Sequence, residues 1–180
     1  MNEPGVAPDA PLPPVIATRL HEFCSMTKMK RVAMQFIATS LGEEEIAGLR
    51  EMFLMMDTDR SGTITLGELR KGLESIGANV SDSEVQRILQ ETDIDHSGVI
   101  EYAEFLAATL HLSKVEKQEN LKKAFSRFDV DGSGFISGEE LQRVCSELNM
   151  ERKEIDEMLQ EVDANKVSHQ FIAKDVRCKS

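Results

Sequence analysis

The sequence predicts an all-α protein of two lobes, each a pair of helix–loop–helix units, preceded by a basic amphipathic helix. Three observations carry this reading. The acidic loops DTDRSGTITLGE (57–68), DIDHSGVIEYAE (93–104) and DVDGSGFISGEE (129–140) open on an Asp at a fixed interval of 36 residues, and such a period marks repeated supersecondary units. Apolar residues between the loops recur at helical spacing, as Ile46, Leu49, Met52 and Phe53 do before the first loop. All five prolines fall within the first 14 residues, leaving the rest of the chain free of the strongest helix breaker.

Residues 1–14 read as an extended Pro-rich tail. Residues 15–40 carry the basic segment. Within it, the stretch 19–37 holds Arg19, Lys28, Lys30 and Arg31 against Glu22 alone. Met29, Val32, Ala33, Phe36 and Ile37 share one face, and Lys28, Arg31 and Gln35 take another. As a single helix it would be about 28 Å long. Residues 41–111 form the first lobe and 112–180 the second, with the polar stretch His111–Asn120 linking them. Ser40 with Glu43, Ser81 with Glu84 and Ser113 with Glu116 fit capping boxes, in which two side chains satisfy free backbone donors at a helix start.

The 180 residues carry 32 acidic against 21 basic side chains, net −11. Residues 1–40 are net +1 and residues 41–180 net −12. An acidic body of this kind excludes general nucleic-acid binding, which needs clustered cations. No apolar run approaches the ~18 residues of a membrane span, and the start carries no signal peptide or myristoylation pattern. Four cations without Trp make a poor membrane-surface helix. Cys24, Cys145 and Cys178 are odd in number and widely spaced, which points to an intracellular, cytoplasmic setting. Oligomeric state is not legible.

Each loop has the spacing of an EF-hand calcium site, where a short chain wraps a hard cation in six to eight oxygens. In the first loop Asp57, Asp59 and Ser61 supply positions 1, 3 and 5, the Thr63 carbonyl position 7, Thr65 position 9 and Glu68 the bidentate position 12. The second uses Asp93, Asp95, Ser97, the Val99 carbonyl, Glu101 and Glu104. The third uses Asp129, Asp131, Ser133, the Phe135 carbonyl, Ser137 and Glu140. Gly62, Gly98 and Gly134 stand at position 6, where the turn needs a positive φ. Ile64, Ile100 and Ile136 recur at position 8, suited to a short strand that pairs two loops. Three ions are expected, with affinities of about 10⁻⁷ to 10⁻⁵ M, and the extra carboxylate Glu101 makes the second site the candidate for the tightest. A fourth loop starting at Asp163 lacks the turn glycine and has Lys174 at position 12. It is expected to bind no calcium and to serve as structural partner to the third.

The stretches GVAPDAPLPP, RLHEFCSMTKMKRVAMQFIATSLGEEEI and EYAEFLAATLHL resemble the calcium-dependent protein kinases of plants and apicomplexan protists, from about Gly5 to Val162. The resemblance implies that residues 1–14 trail a Ser/Thr kinase domain, that 15–40 are the autoinhibitory junction, and that the rest is a calmodulin-like domain. It further implies that calcium lets this domain capture the junction helix 19–37 and release the kinase. No glycine-rich ATP loop, His-Arg-Asp or Asp-Phe-Gly is present, so the chain is expected to be a regulatory part and not itself an enzyme. Its expected partners are its own junction helix and a kinase catalytic domain. A free-standing calmodulin- or centrin-like sensor and a calcium buffer are the competing readings; calcium-dependent exposure of apolar surface separates sensor from buffer.

Overall fold

The computed structural model describes residues 13–111, 114 and 117–165. Among them are nine helices and one two-stranded sheet. In chain order these are α1 (Val15–Cys24), α2 (Lys28–Ser40), α3 (Glu43–Met56), β1 (Thr63–Ile64), α4 (Leu66–Ser75), α5 (Asp82–Thr92), β2 (Ile100–Glu101), α6 (Tyr102–Thr109), α7 (Gln118–Phe128), α8 (Gly138–Glu147) and α9 (Arg152–Asn165). A helix enters and leaves every acidic loop, and β1 pairs antiparallel with β2, setting Thr63 opposite Glu101 and Ile64 opposite Ile100. Position 8 therefore joins the first two loops through fully buried isoleucines.

The basic segment departs from the single helix that its periodicity predicts. Ser25, Met26 and Thr27 interrupt it, and the Thr27 hydroxyl accepts the backbone N–H of Lys30 at 3.4 Å to start α2 afresh. Thr is among the residues favoured at an N-cap, and the apolar stripe running through the segment gives no sign of the break. Splitting the helix lets its halves serve two surfaces. α1 packs on α5 and α6, while α2 packs between α6 of the first pair and α7 of the second, touching α9.

Ile16, Leu20 and Phe23 of α1 and Met29, Val32, Ala33, Met34, Ile37 and Ala38 of α2 are buried. Phe36 is half-buried and meets Phe128 edge-to-face, ring centroids 5.3 Å apart, with Arg127 over its ring. Each large apolar side chain so buried contributes about 1.5–3 kcal/mol, against about 0–1 kcal/mol for an exposed ion pair. Apolar burial thus holds the basic segment to the acidic body. Arg31 does not line an outer polar face as its position predicts. It is buried, pairs with the Glu91 carboxylate and donates to the Glu91 carbonyl at 2.8 Å.

Two helix-start signals also read differently. Ser81 and Glu84 form their capping box at α5, but α3 starts at Gly42, with Glu45 accepting the Gly42 N–H, and Ser40 closes α2 instead. Ser113 and Glu116 lie outside the described residues. α9 runs through Asp163 to Asn165, so the residue expected to open a fourth loop is still helical; Lys166 onward, including Lys174, lies outside the described residues.

Candidate metal centres

The three loops fold alike because their short polar side chains cap their own backbone. In the first loop Asp57 accepts the N–H of Ser61 and of Gly62, each at 2.9 Å, and Asp59 accepts that of Ser61 at 2.9 Å. The Ser61 hydroxyl lies 3.1 Å from the Thr63 carbonyl. The same bonds recur from Asp93, Asp95 and Ser97, and again from Asp129, Asp131 and Ser133. Gly62, Gly98 and Gly134 have φ of 86°, 86° and 87°, the left-handed backbone expected at position 6.

The glutamate at position 12 closes each loop. Glu68 accepts the N–H of Thr58 at 2.9 Å through one oxygen and that of Thr65 at 3.0 Å through the other. Glu104 does the same with Ile94 at 2.7 Å and Glu101 at 2.9 Å, and Glu140 with Val130 at 2.8 Å and Ser137 at 2.9 Å. Glutamate, loop start and helix start are thereby tied together before any ion enters.

As a result Asp57, Asp59 and Glu68 bring carboxylate oxygens within 4.8 Å of one another, as do Asp93, Asp95 and Glu104, and Asp129, Asp131 and Glu140. An all-oxygen set with adjacent hydroxyl and carbonyl groups fits a hard divalent cation and offers nothing to a soft one. Ser61, Thr63 and Thr65, Ser97, Val99 and Glu101, and Ser133, Phe135 and Ser137 occupy the intervening positions of their loops. One group escaped the sequence reading. The Thr58 hydroxyl at position 2 donates to Glu68 at 3.0 Å, a role that no ligand pattern assigns to that position.

Electrostatics separate the loops. Burial works against the Glu68 charge, but the backbone and hydroxyl of Thr65, the Thr58 hydroxyl and the Asp59 N–H outweigh it and bring its carboxyl down to about 2. Backbone donation from Ser137 leads in lowering Glu140. Burial pushes Glu104 up to about 7, opposed by the Glu101 and Ile94 N–H groups and reinforced by the charges of Asp95 and Asp93. Burial likewise raises Asp93.

The family model of an EF-hand domain pair matches residues 46–110 and 118–169. The chain is 52% identical over 159 residues, 88% of its length, to calcium-dependent protein kinase 11 of Oryza sativa subsp. japonica. It is 49% identical over 163 residues, 91% of its length, to calcium-dependent protein kinase 7 of the same plant. Calcium-dependent protein kinase 34 of Arabidopsis thaliana is 46% identical over 166 residues, 92% of the chain. The chain spans only 28%, 30% and 32% of the length of these relatives, and what it matches there is their calmodulin-like regulatory region rather than the catalytic part. Two matched pairs, repeating one loop geometry on a shared helical frame, establish that the chain belongs to the EF-hand family.

Proposed function

We propose that this chain is a calcium-sensing regulatory module that acts on a Ser/Thr kinase catalytic domain by holding residues 15–40 against its EF-hand body. The observation that carries the reading is the burial of α1 and α2. Nine apolar side chains of a basic segment sit against an acidic body, the arrangement expected of a target helix docked in its receptor. The names of the relatives point to a calcium-dependent kinase as the larger setting. Three calcium ions bind, each through the six positions of its loop, and the stretch from Asp163 binds none. Calcium supplies the free energy that fixes the helices flanking each loop. The chain's own residues do the rest: the loop carboxylates hold the site, and the apolar faces of the flanking helices hold the junction. No helix among the described residues is long and apolar enough to cross a membrane. We place the module in the cytoplasm on its cysteine usage.

Adding the chain, with and without Phe36→Glu, to a separately made kinase domain of such a relative tests this. Calcium should relieve inhibition by the unmodified chain and do so poorly for the variant, in which a charge meets Phe128. Identical calcium responses would favour a free-standing sensor.

A further inference from the structure

We infer that Lys28, His96 and Glu154 form a latch through which the second and third calcium loops sense each other. The inference rests on the calcium reading of the loops and adds a path between them. Glu154, on α9 of the second pair, lies 2.9 Å from Lys28 Nζ through one carboxylate oxygen and 2.7 Å from His96 Nε2 through the other. Lys28, on α2, also reaches Glu157 at 2.7 Å. One carboxylate thus joins the basic segment, the second loop and the second lobe. Glu154 is 15% exposed, which screens it less than a surface pair and makes the three groups a network.

Each end of the latch is fixed to a calcium loop. His96 stands at position 4 of the second loop with φ 58°. The residues around it are pinned: the Asp95 N–H by Glu104, and the Ser97 N–H by Asp93 and Asp95. Ordering of that loop therefore sets where the His96 ring points. Lys28, Arg31, Glu91, Asp93, His96 and Glu154 line one 180 Å³ gap, so a ligand of the second site shares a space with the latch. At the other end α9 packs on α8, where a Cβ at Gly138 would come within 3.1 Å of Leu159. Gly138 opens α8 two residues before Glu140. A shift of α9 is felt at the closing ligand of the third loop. Because the latch forms on ordered loops, the coupling is positive: calcium in one favours calcium in the other, and reciprocally.

The test is a double-mutant cycle on the full chain, read by nuclear magnetic resonance at the Gly134 amide, which reports the third loop alone. Glu104→Gln disables the second loop. In the otherwise unmodified chain it should weaken calcium at the third loop by about five-fold or more; with Glu154→Gln already present it should leave that affinity unchanged. Lys28→Met, which keeps Glu154, should shrink the effect of Glu104→Gln as well. The same loss with and without Glu154→Gln, no loss in the unmodified chain, or undiminished coupling with Lys28→Met overturns the latch. A Gly134 amide unresponsive to calcium in the unmodified chain instead overturns the calcium reading itself, and the latch with it.

Discussion

The first and second loops share a backbone, a hydrogen-bonding plan and a strand pair, yet their closing glutamates sit on opposite sides of the ordinary carboxylate value. Glu68 is held at about 2 and Glu104 at about 7. Both are buried, at 7% and 2% exposure, and both accept backbone N–H groups at the loop start and helix start. Burial leads in raising Glu104, with the charges of Asp95 and Asp93 behind it, and Glu68 is met by hydroxyls that Glu104 lacks. Thr58 and Thr65 donate theirs to Glu68, whereas the corresponding residues of the second loop are Ile94 and Glu101, which have none to give. A loop with more carboxylates is therefore the less comfortable one without its ion. Ligand count alone ranks the second site highest; the cost of keeping Glu104 charged works against that ranking.

The largest expected effect follows directly. Glu68→Gln and Glu104→Gln should each reduce the bound calcium from three ions to about two, measured by calorimetry, because a bidentate anion becomes a weak neutral ligand. Their effects on the chain in chelator should differ in sign. Glu68→Gln replaces a charged acceptor that several donors surround and should cost about 1–3 kcal/mol in urea unfolding. Glu104→Gln removes a buried charge and should be neutral or stabilising. Equal destabilisation by both would erase the distinction between the loops.

Acidity should separate them next. Calcium at the second loop must displace the Glu104 proton, so its affinity should fall as pH drops below about 7 and approach a tenfold loss per pH unit. The first loop should be flat between pH 8 and 5, since Glu68 stays ionised. Amide shifts of Gly62 and Gly98 during titrations at pH 8 and 6 measure both in one sample. In chelator the signs reverse. Glu104 lies above its ordinary 4.5, so the fold takes its proton more readily than the unfolded chain does. The resulting gain grows as pH falls from 7 towards 4.5. Glu68 lies below 4.5; its contribution is complete above that pH and is lost as pH falls towards 2.

Much of this frame was legible in advance. Asp at positions 1 and 3, Gly at 6, Ile at 8 and Glu at 12 announce the loops because each type has few substitutes in its role, and the structure brings those carboxylates together as the spacing requires. The basic segment was legible as apolar on one face, but its break was not. A three-residue interruption hardly disturbs a helical stripe, and what sets it is the capping of Lys30 by Thr27 together with two separate surfaces to cover. The burial of Arg31 was not legible from its face, because it depends on a carboxylate and a carbonyl at Glu91, sixty positions away in the chain. Part of the low value of Glu68 comes from the Thr58 hydroxyl at position 2, where the ligand pattern says nothing.

Giving the second loop the capping chemistry of the first should have a smaller effect. Thr65 and Ser137 cap α4 and α8 through their hydroxyls, but Glu101 makes no side-chain cap to α6. Glu101→Thr should stabilise the ion-free chain by about 1 kcal/mol, the usual contribution of such a cap. It also removes a carboxylate from the second site, so calcium affinity there should fall. Stability and affinity moving together would show that Glu101 acts through something other than its missing cap.

The smallest effect belongs to position 4, where the loops differ only in side chain. Arg60, His96 and Gly132 all adopt the left-handed backbone there, with φ of 57°, 58° and 69°. A Cβ at Gly132 would touch nothing within 4 Å, so any cost of Gly132→Ala comes from backbone conformation alone. That cost is about 1 kcal/mol. Arg60→Gly relieves the same strain but loosens the unfolded chain, which offsets part of the gain, and should stabilise by about 0.5 kcal/mol or less. His96→Gly is the discriminating case, because it relieves strain and also breaks the contact with Glu154. If the latch holds, His96→Gly should fall short of Arg60→Gly in urea unfolding, and equal gains at the two positions would leave His96 no role beyond its backbone.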